Sequence, residues 1–168
     1  MIFTLKTFTL IHVLISLIGI GSGLVVLFGW LTGRRLNGWT LLFLVTTILT
    51  SVTGFFFPVD HLLPSHIVGI ISLVILAVAL LARYVFHLAG AWGRIFVVTS
   101  VIALYLNVFV LVVQMFLKIP ALTSLAPTQT EPPFLVAQLL VLLLFIVLGA
   151  IATIRFHSQP APQPLRAT

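Results

Sequence analysis

Pro58-Val59-Asp60-His61-Leu62-Leu63-Pro64-Ser65-His66 joins two long apolar runs, residues 40–57 and 66–86, and its reading decides the fold. Each run approaches the ~20 helical residues that cross a hydrocarbon core, so the segment reads as the tight turn of a membrane hairpin. Pro58 closes the first helix, and Pro64 suits the first turn of the second. The loop also sets an acid and two imidazoles at one edge of the bilayer.

Working outward, three further apolar runs occupy residues 8–31, 95–117 and 134–154. The expected fold is therefore all-α: a polytopic five-helix transmembrane bundle over residues 1–157, followed at 158–168 by a Pro-rich disordered tail. The first run has features of a signal peptide, with Lys6 before it and Gly21-Ser22-Gly23 as a small-residue site. It continues to Leu31, past the usual length of such a core, and is read as a retained membrane helix.

Composition agrees. The 168 residues are 61% hydrophobic and only 6% charged, where soluble domains carry roughly a quarter charged residues. The formal net charge of +6 arises from eight Lys and Arg against Asp60 and Glu131. Arg34, Arg35, Arg83, Arg94, Arg155 and Arg166 fall on one side of the five spans, and Lys6, Lys118 and both acids on the other. The basicity is thus read as cytoplasmic anchoring rather than as a nucleic-acid surface. It places the C-terminus in the cytoplasm and the N-terminus outside a bacterial inner (plasma) membrane.

With no cysteine, disulfides, thiolate ligands and cysteine nucleophiles are excluded. No G-x-S-x-G turn, phosphate loop or HExxH motif is present, and Gly19-Ile20-Gly21-Ser22-Gly23 lies inside a membrane helix as packing. The expected protein is not an enzyme.

The topology brings His12, Asp60, His61, His66 and Glu131 to the outer face, where they form a candidate site for a divalent metal. His66 lies at a helix N-terminus, where the dipole favours the neutral, coordinating imidazole. His12 and His66 are also candidate axial ligands for haem b, or neighbours of a quinone. An ionisable group within the apolar slab, as His12 is, marks function by default, although interfacial hydrogen bonding accounts for it as well. For Asp60 and His61 the plain alternative is a solvated turn.

Two stripes define the bundle interior: His12, Ser16, Gly19 and Gly23 in the first helix, and Ser100, Asn107 and Gln114 at seven-residue intervals in the fourth, with Gln138 in the fifth. The hydroxyls Thr46, Thr47, Thr50, Ser51 and Thr53 of the second helix can bond back to their own backbone, which makes their polarity affordable without a pore.

Phe55-Phe56-Phe57-Pro58-Val59-Asp60-His61 with Pro64-Ser65-His66, and Ala126-Pro127-Thr128-Gln129-Thr130-Glu131-Pro132-Pro133-Phe134, resemble the outer segments of small uncharacterised bacterial inner-membrane proteins. The resemblance covers most of residues 55–154 and implies a bacterial plasma membrane without implying a chemistry.

The functional expectation is a binding or accessory module embedded in the lipid bilayer, working beside a larger membrane complex or as a homo-oligomer. Its rivals are a haem or quinone redox module and a small transporter or channel subunit. The last is weakened by the absence of an acid or base in the middle of a span.

Overall fold

A computed structural model describes residues 2–58 and 64–157. Asp60, His61 and the tail at 158–168 lie outside the described residues. Those described are helical, with short connections and no strand. The helices are α1 (Ile2–Leu31), α2 (Asn37–Gly54), α3 (Pro64–Leu80, prolonged by a π turn at Leu81–Val85), α4 (Trp92–Lys118), α5 (Pro120–Leu125) and α6 (Pro132–His157).

Four of them are long and apolar enough to cross a membrane, over Leu5–Leu31, Ser65–Val85, Trp92–Lys118 and Pro132–Phe156. The remaining long helix, α2, is the expected second span and is the exception. It begins at Asn37-Gly38, earlier than the apolar run, and ends at Gly54, so its 18 residues take in two polar ends and the hydroxyl group in between. The connection between α4 and the last span contains a short helix of its own, α5, which starts with Pro120 in its first turn.

The central helix is α4, which packs on α3 and α6 and also meets α1. Along α1, α2 runs antiparallel: His12 meets Thr53, Gly23 meets Phe43 and Gly29 meets Leu36. The small residue at Gly23 is what permits this approach, since a Cβ there would lie 2.6 Å from Leu104 Cδ1 and 2.8 Å from Phe43 Cδ2. Around this point the core is apolar, built from Val26, Leu27, Phe43, Leu44, Phe96 and Leu104. Trp30 sits edge-on to both Phe96 and Phe156 at 5.7 Å.

The two ends of the bundle differ in chemistry. At one end Arg155 donates to Leu31 O, and Arg35 donates to Phe156 O at 3.3 Å while lying 4.3 Å over the Phe156 ring. Arg83 donates to Asn37 Oδ1 at 3.0 Å and lies 5.4 Å over Phe96. Guanidinium groups thus meet the orphan carbonyls at the C-termini of α1 and α6, where the helix dipole also favours a cation. Partial desolvation, followed by the neighbouring Arg83 charge, lowers the pKa of Arg35 below its ordinary value. The other end carries His12, His66, Lys118 and Glu131.

At the arginine end of α3, the π turn hands over to a connection in which His87, Leu88 and Gly90 take positive φ angles of 49°, 59° and 52°. Leu88 N bonds Ala82 O at 2.9 Å, and the Phe86 ring stacks flat on Trp92 at 3.9 Å.

Candidate functional site

At the imidazole end the four helices α1 to α4 diverge around a pocket of about 540 Å³. Its polar wall draws on every one of them: His12 and Ser16 from α1, Thr50 and Ser51 from α2, His66 and Ser72 from α3, Asn107 and Gln114 from α4. The same two helices, α1 and α4, also contribute apolar lining: Val13, Leu17, Leu106, Val110 and Leu111. Val13 is 40% and Leu17 48% exposed, so the apolar side of the pocket is continuous with the outer surface of α1. Lys118, exposed at the end of α4, stands at the mouth.

His12 Nδ1 lies 2.7 Å from Thr53 Oγ1. The Thr53 hydroxyl has one proton and directs it to Leu49 O at 2.7 Å, one turn back on its own helix. It therefore accepts from His12, which fixes the proton on Nδ1 and leaves the lone pair of the ring on Nε2. Phe57 meets the imidazole edge-on at 5.1 Å, and Gly54 leaves room beside it: a Cβ there would stand 3.9 Å from His12 Cε1.

Across the pocket, His66 is buried on the first turn of α3, with its ring 5.6 Å from Phe55. Ser51 donates to Thr47 O at 3.0 Å and approaches Ser72 Oγ at 3.2 Å, which ties α2 to α3 through two buried hydroxyls. Asn107 Nδ2 donates to Thr47 Oγ1 at 3.4 Å. Beyond this pair the interior is closed by the apolar packing of Gly23, Phe43 and Leu104. One group on the polar wall stands apart. Thr50 Oγ1 is buried and has no hydrogen-bond partner, whereas the hydroxyls of Thr40, Thr46, Ser51 and Thr53 on the same helix all bond backbone carbonyls.

The structure thus brings together His12, His66, Ser16, Asn107 and Gln114 from the expected site, and sets others aside. Glu131 is engaged in its own loop: Thr128 N, Thr128 Oγ1 and Thr130 N donate to its carboxylate at 3.2, 2.8 and 3.1 Å. Desolvation pushes its carboxyl up, but these hydrogen bonds, led by the Thr128 hydroxyl, together hold it below the usual carboxylate range. Gln138 ties α6 to α4 by donating to Phe109 O at 3.2 Å, away from the pocket. Ser100 is fully buried without a partner for its hydroxyl and does not line the pocket either.

Among the described residues no group of three or more His, Asp or Glu is placed to hold a metal ion. Of the five expected ligands, His12 and His66 share the pocket, Glu131 does not line it, and Asp60 and His61 lie outside the described residues. Thr50, Ser72 and Lys118 belong to the site and were not expected there. Ser72, a lone hydroxyl in an otherwise apolar run, was the available signal.

No protein-family model matches this chain, and neither a curated protein nor a solved structure matches it.

Proposed function

We propose that this chain is an integral membrane binding module that takes a small amphiphilic ligand from the bilayer into the pocket between α1 and α4. The observation carrying this reading is the pocket itself. At about 540 Å³ it falls in the size range of small-molecule sites, is lined by both polar and apolar side chains, and is open along the outer side of α1. The packed core below Asn107 favours a blind binding site over a conducting path.

The proposal includes α2 as a fifth span. Its contacts follow α1 from Gly29 to His12, so a slab of lipid around α1 also encloses α2. Its hydroxyls bond their own helix, which lowers the cost of placing them there. The arginine end faces the cytoplasm and the imidazole end the outer side of a bacterial plasma membrane, as the basic residues favour. Lipid, a second copy or a larger membrane complex covers the exposed apolar face of α6.

Native mass spectrometry of protein purified from membranes tests the binding reading. The wild type is expected to retain a lipophilic small molecule that Asn107→Leu and Gly54→Leu, which fill the pocket, release. Equal retention by all three folded proteins, or none by the wild type after reconstitution in native lipid extract, would overturn it. Reporter fusions at the C-terminus test the orientation, and an exported reporter refutes it.

A further inference from the structure

The arginine end of the bundle offers a second site, remote from the pocket; the inference rests on the chain lying in a bilayer and not on what fills the pocket. We propose that Arg35, Arg83 and Asn37 hold the phosphate of an anionic phospholipid at that end of α2 and α3.

Three buried rings form the floor. Phe96 and Phe156 lie 6.2 Å apart, and Trp30 meets both edge-on. Arg35 lies 4.3 Å over Phe156, and Arg83 lies 5.4 Å from the centre of Phe96. Two guanidinium groups are thereby held over adjoining rings, near enough that, after desolvation, the charge of Arg83 also lowers the Arg35 pKa. Like charges so placed repel. Arg35 donates to the Phe156 carbonyl and Arg83 to the Asn37 amide, both neutral. Among the described residues the single acid is Glu131, engaged in its own loop at the other end.

The site has donors and room. A guanidinium can only donate, so Asn37 faces Arg83 with Oδ1, which leaves its amide nitrogen as a donor for a phosphate oxygen. A ring contact occupies the face of a guanidinium and leaves in-plane N–H groups, whose fork matches two phosphate oxygens. A Cβ added at Gly38 would meet nothing within 4 Å, so the space beside Asn37 is open.

Depth identifies the anion as a lipid. Arg83 lies inside the apolar span Ser65–Val85, two residues from its end, or about 3 Å along the helix. That is the level at which a bilayer carries its headgroups. Leu81, Tyr84 and Val85 around it, and Trp39 two residues from Asn37, are exposed. They give acyl chains an apolar surface that a soluble phosphate does not use. A zwitterionic head would bring an ammonium group toward two guanidinium groups, so the head with net negative charge is preferred.

The experiment is native mass spectrometry of the full chain in detergent micelles, titrated with palmitoyl-oleoyl phosphatidylglycerol or phosphatidylethanolamine, which share acyl chains and differ in head charge. The wild type is expected to bind the first about tenfold more tightly. Asn37→Asp should fold, since the new carboxylate accepts from Arg83 and suits the first turn of α2, yet it neutralises the site and should weaken phosphatidylglycerol about tenfold. Arg83→Gln should do the same. Arg94→Gln, which removes an equal charge from an exposed position at the same end, should not. Asn107→Leu at the other end and excess inorganic phosphate should both leave the lipid bound. Equal affinity for the two lipids, an Asn37→Asp or Arg83→Gln protein that binds as the wild type does, or equal losses in Arg83→Gln and Arg94→Gln overturns the proposal and leaves the pocket reading standing. Loss of phosphatidylglycerol in Asn107→Leu moves the lipid to the pocket, displacement by phosphate identifies a soluble anion, and either result overturns the proposal as well.

Discussion

Replacing Gly21 by alanine should stabilise the protein and replacing Gly23 should not, although only Ser22 separates the two in α1. A Cβ at Gly21 meets nothing within 4 Å. There the substitution gains the helix preference of alanine over glycine, about 1 kcal/mol. At Gly23 the same carbon would stand 2.6 Å from Leu104 Cδ1 and 2.8 and 2.9 Å from two Phe43 ring carbons. Carbon atoms pack at roughly 3.5–4.0 Å, so these neighbours must retreat by roughly 0.6–0.9 Å. They have little room, for Phe43 is 1% and Leu104 2% exposed. Overpacking of this kind costs about 1–3 kcal/mol, against which the helix preference returns about 1. Gly23→Ala should therefore be neutral to about 2 kcal/mol destabilised, and lie about 1–3 kcal/mol below Gly21→Ala. Equilibrium unfolding in mixed detergent micelles, followed by circular dichroism, measures that difference directly. Equal shifts for the two variants would refute the close packing of α1 against α2 and α4.

Three further outcomes are expected. Thr53→Val should remove the acceptor that holds the His12 ring, at about 1 kcal/mol of stability; nitrogen NMR of labelled histidine should show the Nδ1–H tautomer in the wild type and a mixture in the variant. Ser100→Ala should be neutral or stabilising by up to about 1 kcal/mol in the same unfolding assay, because it deletes a buried hydroxyl that has no partner. The loop at Thr128–Glu131 should loosen in acid. The carboxyl of Glu131 is held below its usual range, so its hydrogen bonds contribute fully above the ordinary carboxylate pKa and are lost as pH falls through the lowered folded value. Amide exchange at Thr128 and Thr130, corrected for its intrinsic pH dependence, should show protection at neutral pH that disappears in acid.

The apolar helices were legible in the sequence because run length alone reports the thickness of a hydrocarbon core, and four of the five expected runs emerge with that character. The second run was harder to read: Asn37, Gly38 and the hydroxyls dilute its hydropathy, and their satisfaction by backbone carbonyls depends on rotamers that composition does not record. The stripes of α1 and α4 put His12, Ser16, Asn107 and Gln114 on shared helix faces, since polar side chains three, four or seven residues apart lie together, and all four line the pocket. They did not foretell where the pocket stops. Ser100 belongs to the same stripe as Asn107 but is fully buried, because the depth of the pocket is set by how Phe43 of α2 and Gly23 of α1 close against α4 at Leu104. Glu131 lies at the expected end of the bundle, yet sharing an end is not converging on a point. Its own loop offered three donors within reach, and local bonds of this kind form at little cost in chain entropy.

The wide turn at Leu81–Val85 gives α3 one residue more than an unbroken α-helix would use over the same rise. Every residue inserted into a helix rotates the chain beyond it by about 100°. The turn therefore works as an angular spacer: with the extra residue the Phe86 ring lies flat on Trp92, and deleting one residue there would turn Phe86 by roughly 100° about the axis of α3. A length variant at this point would alter which aromatic surface anchors that end of the bundle while leaving the span itself long enough to cross the membrane.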